Sequence, residues 1–277
     1  MNGILDSHLH LWDPSQRHYD WLAEHPALDR RFGPEDVEPG AHELVGAIFV
    51  QADCREEEAL DEVRWVQDVG PPLVRGIVAY APVHRGPEVE PHLAALAEEP
   101  LVVGVRRLLQ GYPHEAIVDP RLANGVRLLG ERRLTFDLCA THDQLPAVAM
   151  LVEACPDVLF VLDHLGKPPV AASLLDPWRK DIGRLASSQN VSCKLSGLAT
   201  EAGGRWTSEQ VRPYLEHALR VFGPERCMVG SDWPVLTLAG TIEEWLDAVR
   251  DVVDGLPGDD AHAVWFGTAA TVYGIEL

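Results

Sequence analysis

The sequence predicts an α/β protein folded as a (β/α)8 barrel, a single domain over residues 1–277, and three observations carry that expectation. Eight apolar runs of strand length recur along the chain. Between them lie segments whose apolar residues return every three or four positions, the spacing of a helix resting on a core. Strands that are apolar on both faces and alternate with helices call for a parallel sheet with crossover connections, and eight such units in about 250 residues is the size of a barrel. The alternative, an open doubly wound sheet, would usually carry a glycine-rich phosphate turn, and neither G-x-G-x-x-G nor G-x-x-x-x-G-K-[ST] occurs.

The elements follow in order. The first strand, "ILDSH" at 4–8, leads into a long connection over 11–43 rich in Trp, Tyr and His, better suited to covering a site than to plain crossover. The run "LVGAIFVQ" at 44–51 precedes a helix over 55–69, and "LVRGIVAY" at 73–80 precedes one over 87–99. "LVVGVRRL" at 101–108 ends on two arginines and leads to a helix over 120–130. "LTFDLCA" at 134–140 is followed by a helix over 142–155, where His142 either caps the first turn or faces the barrel mouth. "VLFVLDH" at 158–164 precedes 174–187, and "NVSCKLS" at 190–196 precedes 207–222, for which Thr207 is a plausible N-cap. The last strand, "CMVGSD" at 227–232, is followed by helices over 241–254, capped by Thr241, and 259–272. No internal repeat, low-complexity tract or linker divides the chain.

Composition narrows the partners. With 43 acidic against 23 basic residues the formal net charge is -20, which argues against nucleic acid and anionic membrane surfaces, since both are bound through basic patches. The first residues lack a secretory pattern and no stretch of eighteen apolar residues occurs, so a cytoplasmic protein that does not span a membrane is expected. Its five cysteines, scattered and without C-x-x-C, read as reduced, buried small hydrophobes. The oligomeric state is left open, a homo-oligomer included.

The out-of-place polar residues sit at strand C-terminal ends: His8 and His10, Gln51, Arg106, His164, Lys194 and Asp232. In a barrel that end is the catalytic face, so residues more than two hundred positions apart would converge on one mouth. Each has a bland alternative, because a single strand-end histidine is more often a hydrogen-bonded structural residue than a ligand. Two histidines on one strand face, with a third histidine and an aspartate at other strand ends, favour a site. Arg106 and Arg107 must diverge; Arg106, which shares a face with Gly104 and Val102, is expected inside. His92, His217 and His262 read as surface residues. The imidazole–carboxylate cluster suits a divalent metal such as zinc, and equally suits positioning a water and a carbonyl without one. Under either version Asp232 is the natural base, with the histidines or an ion stabilising the oxyanion.

The strings "DSHLHLWDP", "YDWL", "GVRRLLQ", "LDHLGKPP", "CKLSGL" and "VGSDWPV" together resemble the amidohydrolase superfamily (amidohydrolase family 2), in the branch of sugar lactonases and 2-pyrone-4,6-dicarboxylate lactonase. The resemblance spans nearly the whole chain; H-x-H is a weak signal, whereas "DHLGKP" and "GSDWP" in this order are specific. It implies a barrel centred on His8, His10, His164 and Asp232, with Asp232 activating water to open a lactone. It also implies one divalent metal, zinc before others, or none. Two-metal members use a carboxylated lysine on a middle strand, and no lysine precedes Lys167, so a binuclear centre is not expected. One departure is Thr268, where relatives usually carry Asn. A pyrone dicarboxylate would need several arginines, so a neutral sugar lactone is favoured, held by Gln51, Arg106 and Lys194 against an aromatic wall of Trp12, Tyr19, Trp21 and Trp233. A zinc-dependent decarboxylase on the same barrel, a pyrone-type lactonase and a non-catalytic sugar-acid sensor are the competing readings.

Overall fold

A computed structural model describes residues 3–276. Eight strands, β1 (Ile4–Leu9), β2 (Leu44–Val50), β3 (Val74–Tyr80), β4 (Val102–Leu108), β5 (Thr135–Cys139), β6 (Phe160–Leu162), β7 (Val191–Leu195) and β8 (Cys227–Val229), pair in sequence order and all in parallel. Just beyond β8 a parallel bridge between Leu9 and Trp233 closes the ring onto β1: Asp232 N–H donates to the His8 carbonyl (2.8 Å) and His10 N–H to the Trp233 carbonyl (2.7 Å). The expected (β/α)8 barrel is the fold.

The helices are α1 (Ala59–Val69), α2 (Glu90–Leu96), α3 (His114–Ile117), α4 (Pro120–Glu131), α5 (Leu145–Ala154), α6 (Trp178–Ala186), α7 (Leu198–Glu201), α8 (Ser208–Phe222), α9 (Ile242–Val253), α10 (Gly258–His262) and α11 (Thr268–Tyr273). Thr207 and Thr241 cap α8 and α9 as expected, each hydroxyl accepting a first-turn N–H. The single helix expected over 259–272 is instead two, joined by a π-helical turn at Ala263–Gly267, and the short α3 and α7 carry too few residues to show a period. His217 is buried rather than on the surface: it packs against Trp178 and its Nε2–H donates to the Arg179 carbonyl. All five cysteines are free and buried. Among the described residues no helix is long and apolar enough to cross a membrane.

What matters for function is how the barrel interior is layered. Its lower part is apolar, built from Leu5, Ile48, Val50, Val78, Val161 and Met228, and α11 plugs it with Ala269 and Tyr273. Above this layer the interior turns polar, and the long connection after β1 folds over the top. That connection is pinned by mutual backbone bonds between Trp12 and Phe32 (3.1 and 2.9 Å), by Trp12 Nε1 donating to the Leu28 carbonyl, and by Trp21 Nε1 donating to the Ala52 carbonyl.

Candidate active site

Three chain segments bring His8, His10, His164 and Asp232 to one point. Asp232 Oδ1 lies 3.6 Å from His8 Nε2, 3.4 Å from His10 Nε2 and 3.8 Å from His164 Nε2. Local backbone geometry makes this convergence. The apolar runs at 158–164 and 227–232 stop pairing early, at Leu162 and Val229, and the chain then turns through left-handed conformations at His164, Leu165, Lys167 and Asp232. A regular strand would send Asp163 and His164 to opposite faces; the turn lets both reach the centre. Opposite His164, Gly197 (φ 71°) leaves the room its ring needs, since a Cβ there would stand 2.5 Å from His164 Cγ.

Each imidazole is oriented through Nδ1. His10 Nδ1–H donates to the Val50 carbonyl (2.6 Å), His164 Nδ1 meets Ser196 Oγ (2.9 Å), and His8 Nδ1 lies 3.2 Å from Asp163 Oδ1. A carbonyl only accepts, so His10 presents a bare Nε2 to the centre, 3.2 Å from His8 Nε2. Two imidazole nitrogens and a carboxylate oxygen at 3.2–3.6 Å from one another match the edges of a tetrahedron around a metal with bonds of about 2.0–2.1 Å, roughly 3.3 Å. Histidine ligands held at Nδ1 by carbonyl or carboxylate partners are the usual supports of such a site. His8, His10 and Asp232, with His164 alongside, therefore fit a divalent cation.

Electrostatics keep the rings neutral. Burial pushes His8 well below 6.5, with Asp163 pulling the other way, and lowers His10; His164 falls to about 4 for the same reason. Burial works against ionisation of Asp232, yet His164, His10 and His8 more than offset it and hold the carboxyl below the usual range. Beneath His8 sits a wholly buried ion cluster. Lys194 Nζ contacts Asp137 Oδ2 (2.6 Å), Asp163 Oδ1 (3.0 Å) and His8 Nδ1 (3.2 Å); Tyr273 donates to Asp137 (2.8 Å) from the plug helix.

A cavity of about 290 Å³ opens above Asp232, lined among others by His10, His164, Arg106, Lys167, Asp53, Trp12 and Trp21. Arg106 is inside as expected, its guanidinium bonded to Asp163 (3.3 Å) and to the Gln51 carbonyl, while Arg107 turns away against Tyr80 and Tyr112. Four other expected substrate contacts do not line the cavity. Lys194 is fully buried below the histidines. Gln51 shares the parity of Ala47 and Phe49, which face the helix layer, and its Oε1 accepts the Asp53 N–H (2.6 Å). Tyr19 is buried behind Trp12, and Trp233 packs on Phe32 in a neighbouring cleft. His142 stands in the turn before α5 and is likewise absent from the lining; the cap there is Thr141 with Gln144. Lys167 and Asp53 are two charged residues of the lining that sequence reasoning passed over. Lys167 had a signal, being one of only three lysines, placed between "DHLG" and two prolines.

A (β/α)8 barrel with a histidine–aspartate centre at the C-terminal mouth defines a hydrolase-type scaffold, and comparison with known proteins gives its family. The amidohydrolase family model matches residues 5–275, so the chain belongs to the amidohydrolase family. It is 32% identical to an L-fucono-1,5-lactonase of Burkholderia ambifaria, over 100% of this chain and 97% of the relative, and 32% identical to one of Burkholderia multivorans, over 98% and 96%. An amidohydrolase of Burkholderia multivorans solved with bound zinc superimposes with a TM-score of 0.88 at 30% identity, covering 99% of this chain and 100% of that one.

Proposed function

We propose that this protein hydrolyses a sugar lactone, with Asp232 as general base and a single divalent cation, zinc in the first instance, at the His8–His10–Asp232 centre. The observation that carries the chemistry is a buried carboxylate ringed by three imidazoles on the floor of a small cavity. Water held against Asp232 gives up a proton as it attacks the lactone carbonyl. Arg106 and Lys167, the two cations in the lining, are the donors available to the developing oxyanion. As the ring C–O bond breaks, the proton passes from Asp232 to the leaving oxygen. A bound cation would supply Lewis-acid polarisation and lower the pKa of water.

The substrate class follows from the cavity. At about 290 Å³ it suits a single small ring. Its carboxylates Asp53 and Asp232 balance Arg106 and Lys167, so a neutral ligand is matched and a dicarboxylate is not. L-fucono-1,5-lactonase relatives support the same class. One cation is favoured over two because the ammonium of Lys194 already lies against His8 Nδ1 and Asp163. A divalent ion on that side would face it at a cost of about 4 kcal/mol per unit charge at 4 Å and an effective dielectric of 20.

A panel of aldonolactones and 2-pyrone-4,6-dicarboxylate, run by pH-stat on protein as purified and after chelation, tests the reading, with metal content read by mass spectrometry. Turnover of an aldonolactone and at most one metal ion per chain are expected. Turnover of the pyrone alone, or carbon dioxide release without acid production, would overturn it.

A further inference from the structure

We propose that Asp53 is the residue that selects a polyhydroxylated ring, its carboxylate accepting hydroxyl hydrogen bonds from the substrate while the Trp21 indole lies against the ring. The inference rests on the lactonase reading and adds a specificity determinant to it.

Asp53 lines the cavity three residues beyond the end of β2 and is half-buried. Among the described residues its carboxylate has neither a hydrogen-bond donor nor an ion-pair partner, although it faces a confined space. Burial pushes its carboxyl up, with Arg106 and Arg107 pulling the other way. Its backbone is held at φ 60°, a conformation that non-glycine residues adopt only where surroundings impose it. Here the surroundings are explicit. Gln51 Oε1 accepts the Asp53 N–H, Arg106 holds the Gln51 carbonyl, Glu62 accepts the Ala52 N–H (3.3 Å), and the Ala52 carbonyl accepts Trp21 Nε1–H (2.8 Å). Three consecutive residues are thus anchored at four points, and the last anchor ties the aromatic wall to the carboxylate. An acceptor-only group and an indole in the same cavity lining, both fixed before binding, match a ring with hydroxyls on its edge and C–H bonds on its face. The same carboxylate repels an anionic substituent at that edge.

The test compares L-fucono-1,5-lactone with δ-valerolactone, which lacks hydroxyls, in the parent, Asp53→Asn and Asp53→Gly. Both replacements tolerate the left-handed backbone, so folding is preserved and checked by thermal unfolding. For the hydroxylated lactone kcat/KM is expected to fall about 10- to 100-fold, the worth of a charge-assisted hydrogen bond, and further for glycine than for asparagine. For δ-valerolactone it should change less than about threefold. Parallel losses on both lactones, or none, would overturn the role of Asp53 while leaving the lactonase reading intact. Calorimetric binding of 1,5-anhydro-L-fucitol, the ring without its carbonyl, decides the matter independently of turnover. If the parent opens no lactone yet binds this polyol and Asp53→Gly does not, the role of Asp53 stands and the lactonase reading falls; binding that is absent in the parent or unchanged in the variant sinks the role.

Discussion

Replacing Asp232 by asparagine removes the proposed base and the one carboxylate of the proposed cation centre, and leaves the backbone as it is. Asn is nearly isosteric and tolerates the left-handed φ of 61° as well as Asp does, and the backbone N–H that bonds the His8 carbonyl is untouched. With all three neighbouring rings kept neutral by burial, loss of the anion in the metal-free protein strands no charge on them, and Tm measured after chelation should move by no more than about 3 °C, near 1 kcal/mol for a chain this size. The kinetic effect is of another order. A general base contributes about 10²–10⁴-fold, or about 2.7–5.4 kcal/mol at 1.36 kcal/mol per decade. The upper part of that range applies, because the carboxylate is also a metal-type ligand, so its loss removes two contributions at once. A fall in kcat of at least about 10³-fold on L-fucono-1,5-lactone, with KM within about threefold, is expected by pH-stat after subtraction of spontaneous hydrolysis. A correctly folded variant within tenfold of the parent would refute the assignment of Asp232 as base.

Two further outcomes follow from the interior. Lys194→Met leaves Asp137 and Asp163 facing each other without their cation, a loss of about 3–5 kcal/mol that lowers Tm by roughly 6–20 °C in calorimetry; a drop under about 3 °C would show that the cluster is not ionised as described. The acid limb of kcat/KM should fall near pH 4, where His164 protonates, rather than near the ordinary 6.5, and a limb at pH 6 or above would contradict the neutral-ring centre. By the same shift the unfolded chain binds more protons than the folded one between about pH 4 and 6.5, so the contribution of His164 to stability is present above 6.5 and is lost as pH falls through that window.

The barrel and the four central residues were legible in the sequence because strand ends are where a parallel barrel exposes side chains, and a histidine or aspartate closing an apolar run stands out. What was not legible lies where alternation breaks. Asp163 is hidden beside His164 until a left-handed turn brings both inward, and Asp137 sits inside "LTFDLCA", where it reads as one polar residue of an ordinary strand. Lys194 was expected at the substrate; on β7 it instead lies a layer lower, where two carboxylates already require a cation. The expected aromatic wall divides in two. Trp12 and Trp21 face the cavity, whereas Tyr19 and Trp233 pack behind it, a difference set by how the long connection folds back on itself. No one-dimensional period encodes that folding.

The buried ions raise the question of what they do, since replacing a buried ion pair by apolar residues of equal volume is often neutral or stabilising. Their arrangement supplies an answer. From the plug helix upward the contacts run Tyr273 to Asp137, Asp137 to Lys194, Lys194 to Asp163, and Asp163 to His8 Nδ1, so an unbroken polar chain ends on the ring whose Nε2 faces Asp232. An apolar filling could support the barrel walls equally well, but it would offer no directional partner to His8 and leave the imidazole free to rotate. Arg106 adds a second fixed contact, bonding Asp163 from the cavity side while holding the Gln51 carbonyl in the segment that displays Asp53. The two carboxylates of the cavity are thus positioned from one buried cluster, and the polar layer is best understood as a jig for the site rather than as a source of stability.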